Sequence, residues 1–435
     1  MTISSSLNAG VSGLAANANR LATISDNIAN SSTRGYKRVE TEFAAMVTAG
    51  RGGTYTAGGV RTTTNRLVSE NGALVSTNNP TDLAIRGSGF LPVAQATEVL
   101  AGNGNQQMYL TTTGSFRLDA DGYLRSESGL MLMGWAANAD GTIPTNARDT
   151  SASLEPIRVA LNQYLSEPTT SVTMGVNLPA TETTAGASGD SLELPVEYFD
   201  NLGRSESLTV SFTPTVAASG SSNEWTMVIS DSASGGAVIG DYTVTFDDTP
   251  AAGGTLSSVS APLTTGGTYV PATGSVIVSA AGGPIELTIG QLFTNGGLTQ
   301  RSDSFAPLNI AKDGSPAGHI SSVEIDETGQ VFAHSDTGIS ALIYQVPLVD
   351  VPNPNGMIAL NDQIYQPSQE SGRFFLWDAG DGSTGQIVPY AREESTTDVA
   401  GELTDMIQTQ RAYSSNAKVI QTVDEMLQET TNIKR

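Results

Sequence analysis

Three stretches of the chain carry residue types at spacings that could do chemistry. The stretch GDGSTG, residues 380–385, has the G-x-G-x-x-G spacing that lets backbone N–H groups approach a pyrophosphate. That turn works only when it opens a helix whose N-terminus faces the phosphates; here QIVPY follows, and Pro389 stands too close for a helix to run. A loop is predicted. DADG, residues 119–122, has the oxygen-rich start of a calcium loop, but Arg117 occupies the first ligand position and Ser128 the last, where a bidentate glutamate belongs. A β-turn is expected there. His319 and His334 are the two histidines and cysteine is absent, so thiolate chemistry is excluded and little is left for metal or general-base work. His334, in the polar strand-end stretch FAHSDTG, is expected to be solvated. No G-x-S-x-G elbow, Walker loop or H-E-x-x-H helix occurs. The expectation is no catalytic residue, no cofactor, no metal and no enzymatic activity.

Charge and length narrow the field further. Of 435 residues, 15% are charged, and the net charge is −23; a nucleic acid or an anionic membrane would need lysines and arginines to neutralise its phosphates, so neither is an expected partner. The charge is uneven: through Glu70 seven basic residues stand against four acidic ones, whereas from Gln163 to Gly297 thirteen acids face Arg204 alone. No run of about eighteen apolar residues exists. The first basic residue is Arg20, and MTISSSLNAGVSGLAANANR is broken by Ser, Asn and Gly, so no cleaved secretory signal is expected. Such a chain stays in the cytoplasm or leaves by a route that needs no cleaved signal. Its length suggests about three domains.

Helices are expected at both ends. Leu7, Leu14, Leu21 and Ile28 recur every seven residues with Val11 and Ala18 between them; Met406, Tyr413, Ile420 and Leu427 do the same, supported by Leu403, Ala417 and Val423. This is the spacing of a helix that buries one seam. Gly10 and Gly13 each cost about 1 kcal/mol relative to Ala in a helix interior, so the first helix needs a partner surface. Two readings remain open on periodicity alone: the helices dock on their own domain, or they pack against other copies.

Between the helices the pattern becomes strands and turns. SLELPVEYFDNLGRSESLTVSF, residues 191–212, alternates apolar and polar residues on either side of a turn at residues 200–203, the signature of a hairpin. FRLDADGYL (116–124) and VEIDETGQV (323–331) echo each other as strands turning on an Asp and a Gly. The echo brackets the acidic stretch and predicts nesting: terminal helices over 1–31 and 393–435, linkers over 32–77 and 371–392, a discontinuous β domain over 78–158 and 297–370, and an inserted β domain over 159–296. The fold class is mixed and mostly β, with terminal α-helices around two nested β domains.

SLNAGVSGLAANANRLATISDNIANSSTRGYKR resembles the N-terminal signature of the bacterial flagellar rod and hook family, NNPTDLAIRGSGFLPV (78–93) the start of that family's first β domain, and ESTTDVAGELTDMIQTQRAYSSNAKVIQTVDEMLQETTNIKR its C-terminal helix. These blocks cover about a quarter of the chain and stand in family order. The large insertion resembles the hook branch rather than the shorter distal-rod branch, which is the alternative within the family. Thr396 and Thr397, where hook sequences commonly carry Ser-Asn, and LVDVPNPNGM depart from the pattern and blur the contacts at the edge of the first β domain.

The resemblance implies a self-assembling tube: a coiled-coil-like inner layer of terminal helices, a middle shell, an acidic outer domain, and a role as a flexible joint. Glycine-rich hinges such as VTAGRGGTYTAGGVR (47–61) would let the domains slide. The implied partners are further copies of the chain, the distal rod, the hook cap, the hook–filament junction protein and the flagellar export apparatus. It also implies an exit motif. Asn27 and Asn30 end the helix by bonding orphan carbonyls or taking left-handed geometry, Gly35 turns the chain outward, and Tyr36, Lys37 and Arg38 anchor the emerging segment on neighbours. A secreted β-rich adhesin, with ligand contacts around Trp225 or the hairpin loops, and a polysaccharide hydrolase are the rivals from other classes; the first has no reason for matched seams at both ends, and the second needs paired carboxylates that the sequence does not place together.

Overall fold

The computed structural model describes residues 3–47, 57–101, 107–138, 141–160 and 164–433. The chain divides into two compact units, one of residues 1–160, 323–333 and 341–435, the other of residues 161–322 and 334–340.

Among the described residues, the α-helices of the first unit are α1 (Ile3–Ala29), a single turn α2 (Ala96–Leu100) and α3 (Val399–Ile433). The Asp398 carboxylate accepts the Ala400 backbone N–H at 3.0 Å, satisfying one of the donors that a helix start leaves open at α3. The sheet of this unit is built from both sides of the insertion. Leu130–Ala136, a short continuous apolar run, lies beside Leu91–Gln95, which pairs with Tyr109–Thr111, which in turn meets Tyr365. Asp82–Arg86 runs between Thr113–Leu118 and Gln386–Pro389. Leu83, Leu91, Leu110, Phe116, Leu124 and Met131 are fully buried there.

The echoed segments adopt one device twice. The Asp119 carboxylate accepts the N–H groups of Asp121 and Tyr123 on either side of Gly122 at φ 85°, and Asp326 accepts those of Thr328 and Gln330 on either side of Gly329 at φ 82°. Each Asp closes the turn and each Gly takes the left-handed backbone that other residues resist.

The second unit is two five-stranded sheets around one core. Leu192–Phe199, Ser205–Pro214, Glu224–Asp231, Ala237–Phe246 and Leu256–Val259 form an antiparallel meander whose first two strands are the expected hairpin. Ser171–Leu178 lies at the middle of the other sheet, against Gly283–Thr288, Leu298–Gln300 and Ala306–Lys312. Trp225, Tyr198, Tyr242 and Phe212 of the meander share a core with Val172, Met174 and Val176 of the other sheet.

Two expected boundaries move. Residues 297–322 belong to the inserted unit and not to the discontinuous domain, because Leu298–Gln300 and Ala306–Lys312 pair with Ser171–Leu178. The segments expected as linkers carry paired strands: Val39–Ala45 with Val60–Arg66, Leu74–Ser76 with Ala391–Glu393, and Phe375–Trp377 with Leu348–Asp350. Of the glycine-rich stretch 47–61, residues 48–56 lie outside the described residues.

Candidate functional site: the paired terminal helices

Among the stretches singled out for chemistry, GDGSTG is a turn between Phe375–Trp377 and Gln386–Pro389, and the carboxylate in DADG is taken up by its own turn. His319 stacks on Tyr164 at 4.2 Å between ring centroids, and His334 Nδ1 lies 2.7 Å from Ser340 Oγ. Among the described residues, no three carboxylates and histidines cluster to hold a metal ion.

The feature that stands out is the pairing of α1 with α3, and the face each helix spends on it. From α1 the buried positions are Ser5, Gly10, Gly13, Ala16, Ile24 and Asn27; from α3 they are Glu402, Thr409 and Val423. A Cβ on Gly10 would lie 3.2 Å from Ile420 Cγ1, and one on Gly13 only 2.9 Å from Asn416 Nδ2. The glycines that weaken α1 as an isolated helix are thus what allows α3 to approach it. Arg20 pairs with Asp405 at 3.3 Å on the flank.

The residues expected as the apolar seam divide between half-buried and exposed positions. Val11, Leu403, Tyr413 and Leu427 are exposed, at 52%, 47%, 38% and 40% of their area, and Ala18 is exposed too. Leu7, Leu14, Leu21, Ile28, Met406, Ala417 and Ile420 are half-buried, and only the supporting Val423 is buried. Val399, Ile407, Val419 and Met426 add to the exposed apolar surface of α3. The seam within the chain does recur every seven residues along α3, at Glu402, Thr409, Asn416 and Val423. Three of these four are polar, which hides them from a search for apolar periodicity.

The side chains of the exit motif find partners within the chain. Asn27, buried, donates to Val39 O at 2.8 Å and Glu402 Oε1 at 2.9 Å, and accepts Val39 N–H at 2.9 Å and Tyr36 O–H at 3.1 Å. The Asn30 amide donates to the Asp26 carbonyl at 2.9 Å, an oxygen that also accepts the Asn30 backbone N–H at 3.1 Å, and Asn30 takes no left-handed turn. Gly35 does, at φ 72°, and a Cβ there would lie 2.8 Å from Thr113 Cγ2. Lys37, fully buried, bonds Glu393 Oε1 at 2.8 Å, and Gly72 N–H shares that oxygen at 2.7 Å. Arg38 Nε reaches Glu402 Oε1 at 2.7 Å.

Electrostatics follow from this packing. Burial, then the hydrogen bond to Asp26, pushes the Tyr36 hydroxyl up to about 12, so it stays a donor. The bond to Glu402 raises the Arg38 guanidinium above its ordinary range. Glu393 and Glu402, which sequence reasoning missed, join the exit of α1 to the return toward α3 across some 360 residues of chain; no local pattern signals a pair that remote. The arrangement is a network of hydrogen bonds and ion pairs between the two ends of the chain. It fixes two helices side by side with apolar faces outward.

Three family descriptions match the chain: "Flagella basal body rod protein" over residues 7–37, "Flagellar basal body protein FlaE D2 domain" over residues 176–315, and "Flagellar basal body rod FlgEFG protein C-terminal" over residues 390–433. Among curated relatives, the flagellar hook protein FlgE of Brucella suis biovar 1 is 34% identical and that of Rhizobium meliloti 33%, each over 100% of both chains. FlgE of Salmonella typhimurium is 27% identical over 99% of this chain and 100% of its own. The crystal structure of Helicobacter pylori flagellar hook protein FlgE2 aligns over 74% of this chain and 99% of its own, with TM-score 0.43 and 14% identity. On full-length identity to its Brucella and Rhizobium relatives, the chain belongs to the bacterial flagellar hook protein family.

Proposed function

We propose that this chain is the structural subunit of the bacterial flagellar hook, and that copies of it polymerise through the outward faces of α1 and α3 into a short curved tube that passes torque from motor to filament. The observation that carries the reading is the mismatch on α3: it meets α1 mainly through polar residues, while Leu403, Ile407, Tyr413, Met426 and Leu427 face outward. Exposed apolar surface of that extent on one helix gains from burial against another copy, at roughly 25 cal/mol per Å² removed from water. Small and polar residues hold the pair in register, and neighbours supply the missing apolar contact.

The two units have separate β cores. Each can stay rigid while contacts between neighbouring copies lengthen and shorten once per rotation, as a bending joint requires. The acid-rich inserted unit suits wet contacts that slip. Partners beyond the chain itself are the rod, cap, junction and export components of the same organelle, with export needing no cleaved signal.

The test is electron microscopy of the purified chain incubated at rising concentration. Curved tubes are expected. Straight rods would move the chain to the distal-rod role, and a monomer at every concentration would remove the assembly reading.

A further inference from the structure

A cavity of about 320 Å³ lies in the first unit where the exit from α1 meets the sheet. Three guanidiniums line it: Arg34 on the turn after α1, Arg117 on strand Thr113–Leu118 and Arg392 on strand Ala391–Glu393. Among the described residues none of the three pairs with a carboxylate. Arg392 Nε is buried with no hydrogen-bond partner. Burial, and then the charge of Arg34, holds the Arg392 guanidinium below its ordinary range, which marks the wall as positive where Arg392 sits.

Three carboxylates also border the cavity; the charges of Asp82 and Glu127 partly offset that of Arg34 at Arg392, but among the described residues none of the three forms an ion pair with it. Asp82 is buried and engaged by Ser115 Oγ at 2.6 Å and Asn79 Nδ2 at 2.7 Å. Glu127 and Asp362 are exposed, and neither reaches a guanidinium. Asp362 and Gln363 hold consecutive left-handed backbones, at φ 61° and 55°, which other than glycine few residues take.

Unfilled guanidinium forks match a planar oxyanion with two acceptor oxygens. A chain of net charge −23, with thirteen acids against one base between Gln163 and Gly297, presents many such groups to its neighbours. We propose that this arginine-lined cavity is an anion site that receives a carboxylate side chain from a second copy of the chain, fixing the register of stacked subunits. The proposal rests on the assembly reading above: the monomer keeps Arg392 unpartnered, and stacking supplies the acceptor.

The test compares assembly of the wild type with an Arg34→Gln/Arg392→Gln double variant and with Arg117→Gln at the rim. The double variant is expected to keep the monomer's circular dichroism and to need about tenfold more protein to polymerise, the size of one lost charge-paired contact. Sodium sulfate is expected to inhibit wild-type assembly more than sodium chloride of equal ionic strength, and to lose that excess in the double variant. Because the chain has no cysteine, Arg117→Cys can carry a maleimide photocrosslinker; within the polymer it is expected to capture a peptide of a second copy that bears an exposed Asp or Glu. Assembly of the double variant at the wild-type concentration overturns the proposal, as do crosslinks confined to the same copy and sulfate binding by the monomer with no effect on assembly. Should the double variant misfold, Arg117→Gln and the crosslink decide by the same outcomes. Absence of any wild-type polymer overturns the assembly reading itself, which separates the two failures.

Discussion

The inserted β unit and the terminal helix pair spend their apolar residues in opposite ways. In the sandwich Trp225, Tyr198, Tyr242 and Phe212 are all 0% exposed and the two sheets close on one another. In α1 and α3 only Ala16, Ile24 and Val423 are buried among the described apolar side chains, while Leu7, Leu14, Leu21, Ile28, Met406 and Ile420 are half-buried and Val11, Leu403, Ile407, Tyr413, Val419, Met426 and Leu427 are exposed. A fully buried Leu-sized side chain contributes about 1.5–3 kcal/mol, so the sandwich carries its own stability and the helix pair does not. One region is finished within a single chain. The other leaves apolar side chains exposed, and on the assembly proposed above further copies cover them.

The contrast can be broken first where burial is deepest. Trp225→Ala is expected to cost the inserted unit about 3–5 kcal/mol in urea unfolding and to leave the helical signal unchanged. Loss of helix in step with the sandwich would show that the two regions are not independent. Lys37→Met leaves the Glu393 carboxylate buried without its cation and is expected to cost the first unit about 3–5 kcal/mol. Adding Glu393→Leu is expected to recover much of that, since no charge is then stranded.

A smaller effect is expected at the close approach of the helices. Gly13→Val places a side chain where a Cβ already meets Asn416 at 2.9 Å, and a cost of about 1–3 kcal/mol is expected, read as faster amide exchange in both helices. Unchanged exchange would show that the glycine is not what seats α3. The smallest effect is acid sensitivity of the sandwich. Burial works against the charged forms of Asp231, Asp241 and Asp313, but hydrogen bonds outweigh it and hold all three below their ordinary value of 3.8. A depressed folded value gives stability that is complete above 3.8 and lost as pH falls through the lowered value. The thermal midpoint of this unit is therefore expected to stay level from neutral pH to about 4 and to fall below it. Asp231→Asn is expected to blunt the fall.

Local physics was legible in the sequence. Alternation gave the hairpin at 191–212, Asp and Gly spacing gave the turns at 119–122 and 326–329, and sevenfold recurrence gave both helices. What escaped was set by remote pairing. Leu298–Gln300 joins the sandwich through parallel pairing with residues 176–178, which nothing nearby in sequence announces. The facing of the helices escaped for a different reason. Apolar periodicity finds the stripe that wants burial, and in this chain the stripe and the seam differ, because Gly10, Gly13, Thr409 and Asn416 make the contact. The stretch holding Asn27, Asn30, Gly35, Tyr36 and Lys37 stands out in the sequence, but the partners of Asn27 and Lys37, Glu402 and Glu393, lie at the other end of the chain.

The most direct measurement is concentration-dependent polymerisation of a Tyr413→Glu/Leu427→Glu variant, followed by light scattering and electron microscopy. Both side chains are substantially exposed in the single chain, so each change should shift monomer stability by no more than about 0.5 kcal/mol. The expected result is a monomer that melts as the wild type does and forms no tube at any concentration tested. A variant that polymerises at the wild-type concentration would contradict the claim that the outward faces of the terminal helices are the core of the polymer.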